Sequence, residues 1–121
     1  MLITVLSAEG SAARCQTPAG ELAIRWRGVD IPVAGAVVDV ELDAVGELAW
    51  GTDISPVTDT ATEADAGVLV GVLEQIEGDV ATLRAGGSVV LLELSGDVPP
   101  AALGQRVRVR PVRWEAWPTG I

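Results

Sequence analysis

The chain has 121 residues and a formal charge of −9, carried by 17 acids against eight arginines, and it contains no His, Lys, Tyr, Phe or Asn. At 49% apolar and 21% charged residues it is not a disordered chain, and its length leaves no room for a catalytic module beside a binding module. Without His and Lys the commonest general base and the amine nucleophile are excluded, and a single cysteine, Cys15, excludes an intrachain disulfide and a Cys/His zinc centre.

The missing Lys and Asn, with the Ala, Gly, Val and Arg bias, mark a GC-rich bacterial type of coding sequence. Met1 to Ser7 is apolar for six residues and has no basic residue before Arg14, so the charged start and longer apolar run of a signal peptide are not met. No apolar run approaches the ~18 residues of a membrane helix. The expected compartment is the cytoplasm, where the acidic charge keeps the protein dispersed.

Within each of two copies of one pattern, 1–50 and 67–121, the hydrophobic period is two. Leu22, Ile24 and Trp26 alternate with Glu21, Arg25 and Arg27, and Val38, Val40 and Leu42 alternate with Asp39, Glu41 and Asp43, which predicts half-buried strands. Gly and acidic residues punctuate them at Glu9-Gly10, Ala19-Gly20, Gly28, Gly35 and Gly46. Residues 51–66 are rich in Thr, Asp and Ala, contain four acids and no base, and read as an acidic linker. Asp59, Glu63 and Asp65 could hold a hard cation only loosely there, and no metal is expected.

Beyond the linker the pattern recurs at an offset of 68 residues. Glu9-Gly10 falls on Glu77-Gly78, Cys15 on Leu83, Leu22 on Val90, Ile24 on Leu92, Gly28 on Gly96 and Pro32 on Pro100. With one residue inserted, Val38 falls on Val107 and Val40 on Val109. About five short strands per copy, each copy too small to leave its edges open, favour closure. The predicted fold is all-β: two tandem small five-stranded OB-like barrels, 1–50 and 67–121, packed together across the acidic linker 51–66. SH3-like barrels and one β-sandwich are the alternatives. The connectors Gly28–Gly35 and Gly96–Gly104 are the longest in each copy, and Pro99–Leu103 is expected to form a short turn. Cys15, aligned with Leu83, is expected as a small buried hydrophobe.

The charges divide unevenly: residues 1–50 carry −4, 51–66 carry −4 and 67–121 carry −1. Arg106, Arg108 and Arg110 share one side of a strand, opposite Val107 and Val109, while the aligned strand sets Asp39 and Glu41 in the places of Arg108 and Arg110. These acidic and basic stripes are solvated faces, or they join the two barrels, or they join chains head to tail as a homo-oligomeric scaffold. Val89-Val90-Leu91-Leu92 is apolar on both faces, so Val89 and Leu91 are expected in interdomain packing.

No phosphate loop, nucleotide-binding glycine fingerprint or G-x-S-x-G elbow is present, and no acid spacing selects a catalytic pair. Asp39-x-Glu41-x-Asp43 opens like a calcium-binding loop, but Ala44 stands where the turn glycine belongs and Trp50 where the closing Glu belongs. The expected function is therefore non-catalytic and needs no cofactor. It is the binding of a protein partner, as an acidic inhibitor or immunity-type protein covers a basic surface, through Asp39, Glu41, Asp43 and Glu47. The alternative is an OB-type nucleic-acid or oligosaccharide binder using Arg106, Arg108, Arg110 and Arg113 interleaved with Trp114 and Trp117. The whole-chain charge makes nucleic acid the less favoured partner.

Overall fold

The computed structural model describes residues 1–57 and 66–119, and Asp59, Glu63 and Asp65 lie outside the described residues. The strands are β1 (Leu2–Glu9), β2 (Ala12–Thr17), β3 (Gly20–Trp26), β4 (Val37–Ala44), β5 (Ile54–Pro56), β6 (Leu69–Glu77), β7 (Val80–Ala85), β8 (Ser88–Glu93), β9 (Arg106–Val109) and β10 (Trp114–Pro118). The turn expected after Pro99 is a single 3-10 turn, Pro100–Ala102, whose Ala102 is buried. Among the described residues no helix is long and apolar enough to cross a membrane.

The period of two sets which side of each strand is dry. β2 buries Ala13, Cys15 and Thr17, β3 buries Leu22, Ile24 and Trp26, and β4 buries Val40, Leu42 and Ala44, each alternating with exposed residues. The β1–β2 and β6–β7 hairpins turn through two residues with glycine first, Gly10 at φ 60° and Gly78 at φ 64°. That left-handed conformation lets the turn follow the strands' own twist and favours glycine.

The strands form a closed barrel in the order β1-β2-β3-β10-β4 and a second five-stranded sheet in the order β5-β9-β6-β7-β8. The register of the first unit recurs in the second. Val5 pairs with Cys15 as Leu73 pairs with Leu83, and Leu2 pairs with Asp39 as Val70 pairs with Arg108. Each long first strand shifts register at the matching place, between Val5 and Ser7 and between Leu73 and Gln75.

Two features correct the sequence reading. First, the fifth strands are exchanged: β10, from the second half of the chain, closes the barrel made by the first half, and β5, from the expected linker, pairs with β9 in the second sheet. The halves 1–50 and 67–121 are therefore not self-contained tandem barrels. Gly46, at φ 93°, turns the chain out of β4, and Leu48 then bridges to the end of β8. Asp53, expected as a linker acid, instead accepts the Ala49 amide at 2.9 Å on its carboxylate and the Arg110 amide at 2.8 Å on its carbonyl, which holds β5 beside β9.

Second, among the described residues only one barrel closes. β5 has three residues and ends in Pro56, which lacks the N–H a strand needs to donate to the ladder and is suited to a sheet edge. β8 consequently lies at the opposite edge of an open sheet.

One buried cluster runs through both sheets, from Ile3 and Leu22 in the barrel to Leu83 and Leu92 in the second sheet. The sheets also touch at their hairpins. A Cβ at Gly86 would lie 2.4 Å from the Pro18 Cβ and 2.7 Å from the Pro18 carbonyl carbon, so the β7–β8 turn can reach the β2–β3 turn only with glycine there.

Cys15 is fully buried, and its thiol donates to the Leu22 carbonyl oxygen at 3.4 Å. Burial, reinforced by the negative charge of Glu21, pushes the thiol up to about 11 from the usual 9.0. Two outcomes follow. Labelling by a disulfide reagent at pH 8 is expected to be roughly a hundredfold slower in the native protein than in urea, because it requires the chain to open. The unfolded chain releases this proton first as pH rises, so the thiol's contribution to stability is complete below about pH 9 and lost toward about pH 11. Denaturant midpoints across that range should fall less for Cys15→Val than for the native chain.

Candidate functional site

β4 carries the acidic row. Asp39, Glu41 and Asp43 are exposed and alternate with the buried Val40, Leu42 and Ala44, so strand alternation places all three on one outer face. Asp39 is committed within the chain: its Oδ1 accepts from the Met1 ammonium at 3.0 Å, while the Val40 carbonyl accepts from the same group at 2.9 Å. Glu41, Asp43 and Glu47 make no side-chain hydrogen bond or ion pair with any described residue. Glu47 is exposed but lies past the end of β4.

β10 sets the surroundings of this row, because it pairs Trp117 opposite Glu41 and Glu115 opposite Asp43. The Arg27 guanidinium stands 5.3 Å from the centre of the Trp117 ring, a cation–π distance. Glu115 is only 7% exposed and lies 2.9 Å from Arg113 Nε and 3.8 Å from Arg27 Nε. A carboxylate that deep requires paired charge. The charges of Arg27 and Arg113 are thus balanced by Glu115, and Glu41 and Asp43 are left exposed on the outer face.

Between this face and β8 runs a groove of about 660 Å³. Val89, Leu91 and Trp117 supply its apolar wall and Glu41, Asp43 and Glu93 its charged rim. Val89 and Leu91, expected to be sealed between two domains, are 49% and 59% exposed. The reason is the open second sheet: β8 is an edge, and the barrel approaches without covering it.

Comparison with family models, with curated proteins and with solved structures finds no match for this chain.

The arginines and tryptophans of the alternative face are brought together only in part. Val107 and Val109 are buried on β9, with Arg106 exposed and Arg108 half-buried on the other side. Trp114, however, is 2% exposed in the barrel core, where its Nε1 donates to the Gly67 carbonyl at 3.0 Å. Trp117 lies on the barrel with Glu41, and Arg113 is held by Glu115. Trp114 is therefore too deeply buried to serve as a stacking platform for single-stranded nucleic acid beside these arginines. A cavity of about 460 Å³ does bring Arg110, Arg113 and Trp114 together with Arg25, Pro111 and Val112 in its lining. Among the described residues no ion pair joins the acidic row of β4 to the arginines of β9.

Glu93 and Arg27 are functional candidates the sequence reading did not single out. Glu93 is the charged residue closing the two-faced apolar run Val89–Leu92, and Arg27 follows Trp26 in the alternation of β3. Each signal is visible only once β10 is known to lie between β3 and β4.

Proposed function

We propose that this chain is a non-catalytic protein-binding module that covers a basic surface on its partner, in the manner of an inhibitor or immunity-type protein, through the acidic outer face of β4. The observation that carries this reading is the pairing of uncompensated charge with apolar area: Glu41 and Asp43 have no side-chain partner among the described residues and flank a groove walled by Val89, Leu91 and Trp117. Charged rims steer and select partners while apolar centres supply affinity. Asp39, already held by Met1, contributes chiefly to the field, and Glu47 extends it at the edge.

The architecture is suited to this role. We read the two sheets as diverged OB-like units. Support comes from the three-strand meander in each, the return of the fourth strand to the first, and β10 lying parallel to β3 in the barrel. Such a scaffold holds a binding face on rigid strands.

The test is affinity capture from native lysate, followed by measurement of the captured partner's dissociation constant. Replacing Glu41 and Asp43 by Arg is expected to raise that constant roughly tenfold or more, and added salt should slow association to the native chain. A partner bound equally well by the charge-reversed variant would end this reading.

A further inference from the structure

Resting on that reading of β4, we propose that the groove takes an extended segment of the protein partner, bearing both apolar and basic side chains, which joins the open edge of β8 as an added strand.

The backbone of β8 is the first reason. β8 pairs only with β7 among the described residues. Its far end is bridged by Leu48, whose N–H donates to the Glu93 carbonyl at 2.8 Å and whose carbonyl accepts from the Ser95 N–H at 2.8 Å. The backbone groups of Glu93 therefore point away from β7. Backbone groups alternate along a strand, so those of Leu91 and Val89 point to the same open side. Neither residue has a hydrogen-bond partner there among the described residues.

The second reason is internal to the molecule. Ala23 of β3 occupies the register place that Leu91 occupies in β8, since Ala23 pairs with Arg14 and Leu91 with Thr82, each 68 residues on. The Ala23 N–H donates to the Ala66 carbonyl at 2.8 Å, and β10 continues along the same edge at Arg25 and Trp26. In the barrel this edge is covered by the chain's own backbone. In the second sheet the Leu48 bridge is the only such cover among the described residues, and no backbone hydrogen bond of those residues reaches the outer side of Val89 and Leu91. A sheet edge with unsatisfied donors and acceptors is a template for another strand.

Charge and side-chain chemistry define the occupant. The groove along this edge offers Val89, Leu91 and Trp117 to apolar side chains and Glu41, Asp43 and Glu93 to basic ones. A second copy of this chain, at −9, would bring like charge into that rim. The occupant is thus a segment of a basic partner whose main chain supplies the hydrogen bonds and whose Arg or Lys side chains reach the three acids.

The probe is a blocked octapeptide of alternating Arg and Val, titrated into the full-length ¹⁵N-labelled protein. Binding is expected to move the Val89 and Leu91 amide signals and to slow their hydrogen exchange by roughly tenfold or more. The same peptide N-methylated at every second residue should bind roughly tenfold more weakly or worse, because it cannot donate to the β8 edge. Binding that ignores N-methylation yet is lost with Glu41→Arg and Asp43→Arg overturns strand addition and leaves the acidic-face reading in place. Binding indifferent to the charge reversal overturns both. No binding at millimolar peptide, or binding that leaves the Val89 and Leu91 amides unmoved, overturns strand addition alone.

Discussion

A chain ending at Arg113 is expected not to fold. The deletion removes β10, which lies between β3 and β4 and pairs with both, through Glu115↔Arg25 and Ala116↔Trp26 on one side and five residue pairs from Trp114↔Ala44 to Pro118↔Val40 on the other. Without it the barrel opens, and the inward faces of Trp26, Leu42 and Ala44 meet water. Trp114 alone buries on the order of 200 Å², which at ~25 cal/mol per Å² is about 5 kcal/mol. A small domain's whole stability is only ~5–15 kcal/mol. Far-ultraviolet circular dichroism and limited proteolysis should show an unfolded chain, and a synthetic peptide spanning residues 110–121 should restore cooperative unfolding when added in trans. A truncated chain that still melts cooperatively would show that β10 is not the barrel's fifth strand. Residues 1–57 and 66–119 expressed apart should likewise fold together or not at all, since each holds the other's fifth strand.

Trp114→Ala is expected to cost about 3–5 kcal/mol, the range for deleting a large aromatic from a packed core. The ring is almost wholly buried and its N–H is satisfied by Gly67, so the substitution leaves both a cavity and a carbonyl that loses a donor. Trp114→Phe keeps most of the volume and should cost about 1–2 kcal/mol. Trp117→Ala, at a residue 44% exposed, should change stability by less than about 1 kcal/mol while weakening whatever the groove binds. Urea midpoints of the three variants distinguish these outcomes: equal losses for Trp114→Ala and Trp117→Ala would contradict the burial of one and the exposure of the other.

The contrast between the two tryptophans shows where sequence reading stops. Trp114 and Trp117 both lie near Arg113 in the chain, and from spacing alone they look like one interleaved face. A barrel strand sends them apart, because residues three positions apart on a strand point to opposite sides. Trp114 turns into the core and Trp117 turns outward beside Arg27. Glu115 shows the same limit. It sits on the outer side with Trp117, yet it is buried because Arg27 and Arg113 close over it, and nothing local announces that cover.

Alternation was enough to locate β3 and β4, since a strand with one dry face must repeat every second residue. The offset of 68 residues was enough to align Cys15 with Leu83 and Leu22 with Val90, all now in the core. β5 escaped because Ile54-Ser55-Pro56 has one buried residue and no period to read. Its place is set by the edge of β9, far along the chain, to which the Asp53 carbonyl ties it through the Arg110 amide.

The sequence by itself therefore determined the all-β character, the recurring meander and the sign of each strand's outer face, because these depend on residues two apart or on turns of two residues. Only the tertiary structure decided which strand closes which sheet, which tryptophan is dry, and that β8 keeps an open edge beside the acids of β4. Those outcomes turn on edges that become partners only after each meander has formed. A fifth strand goes to the edge that lets it bury its side chains and satisfy its backbone, whichever half of the chain supplied it.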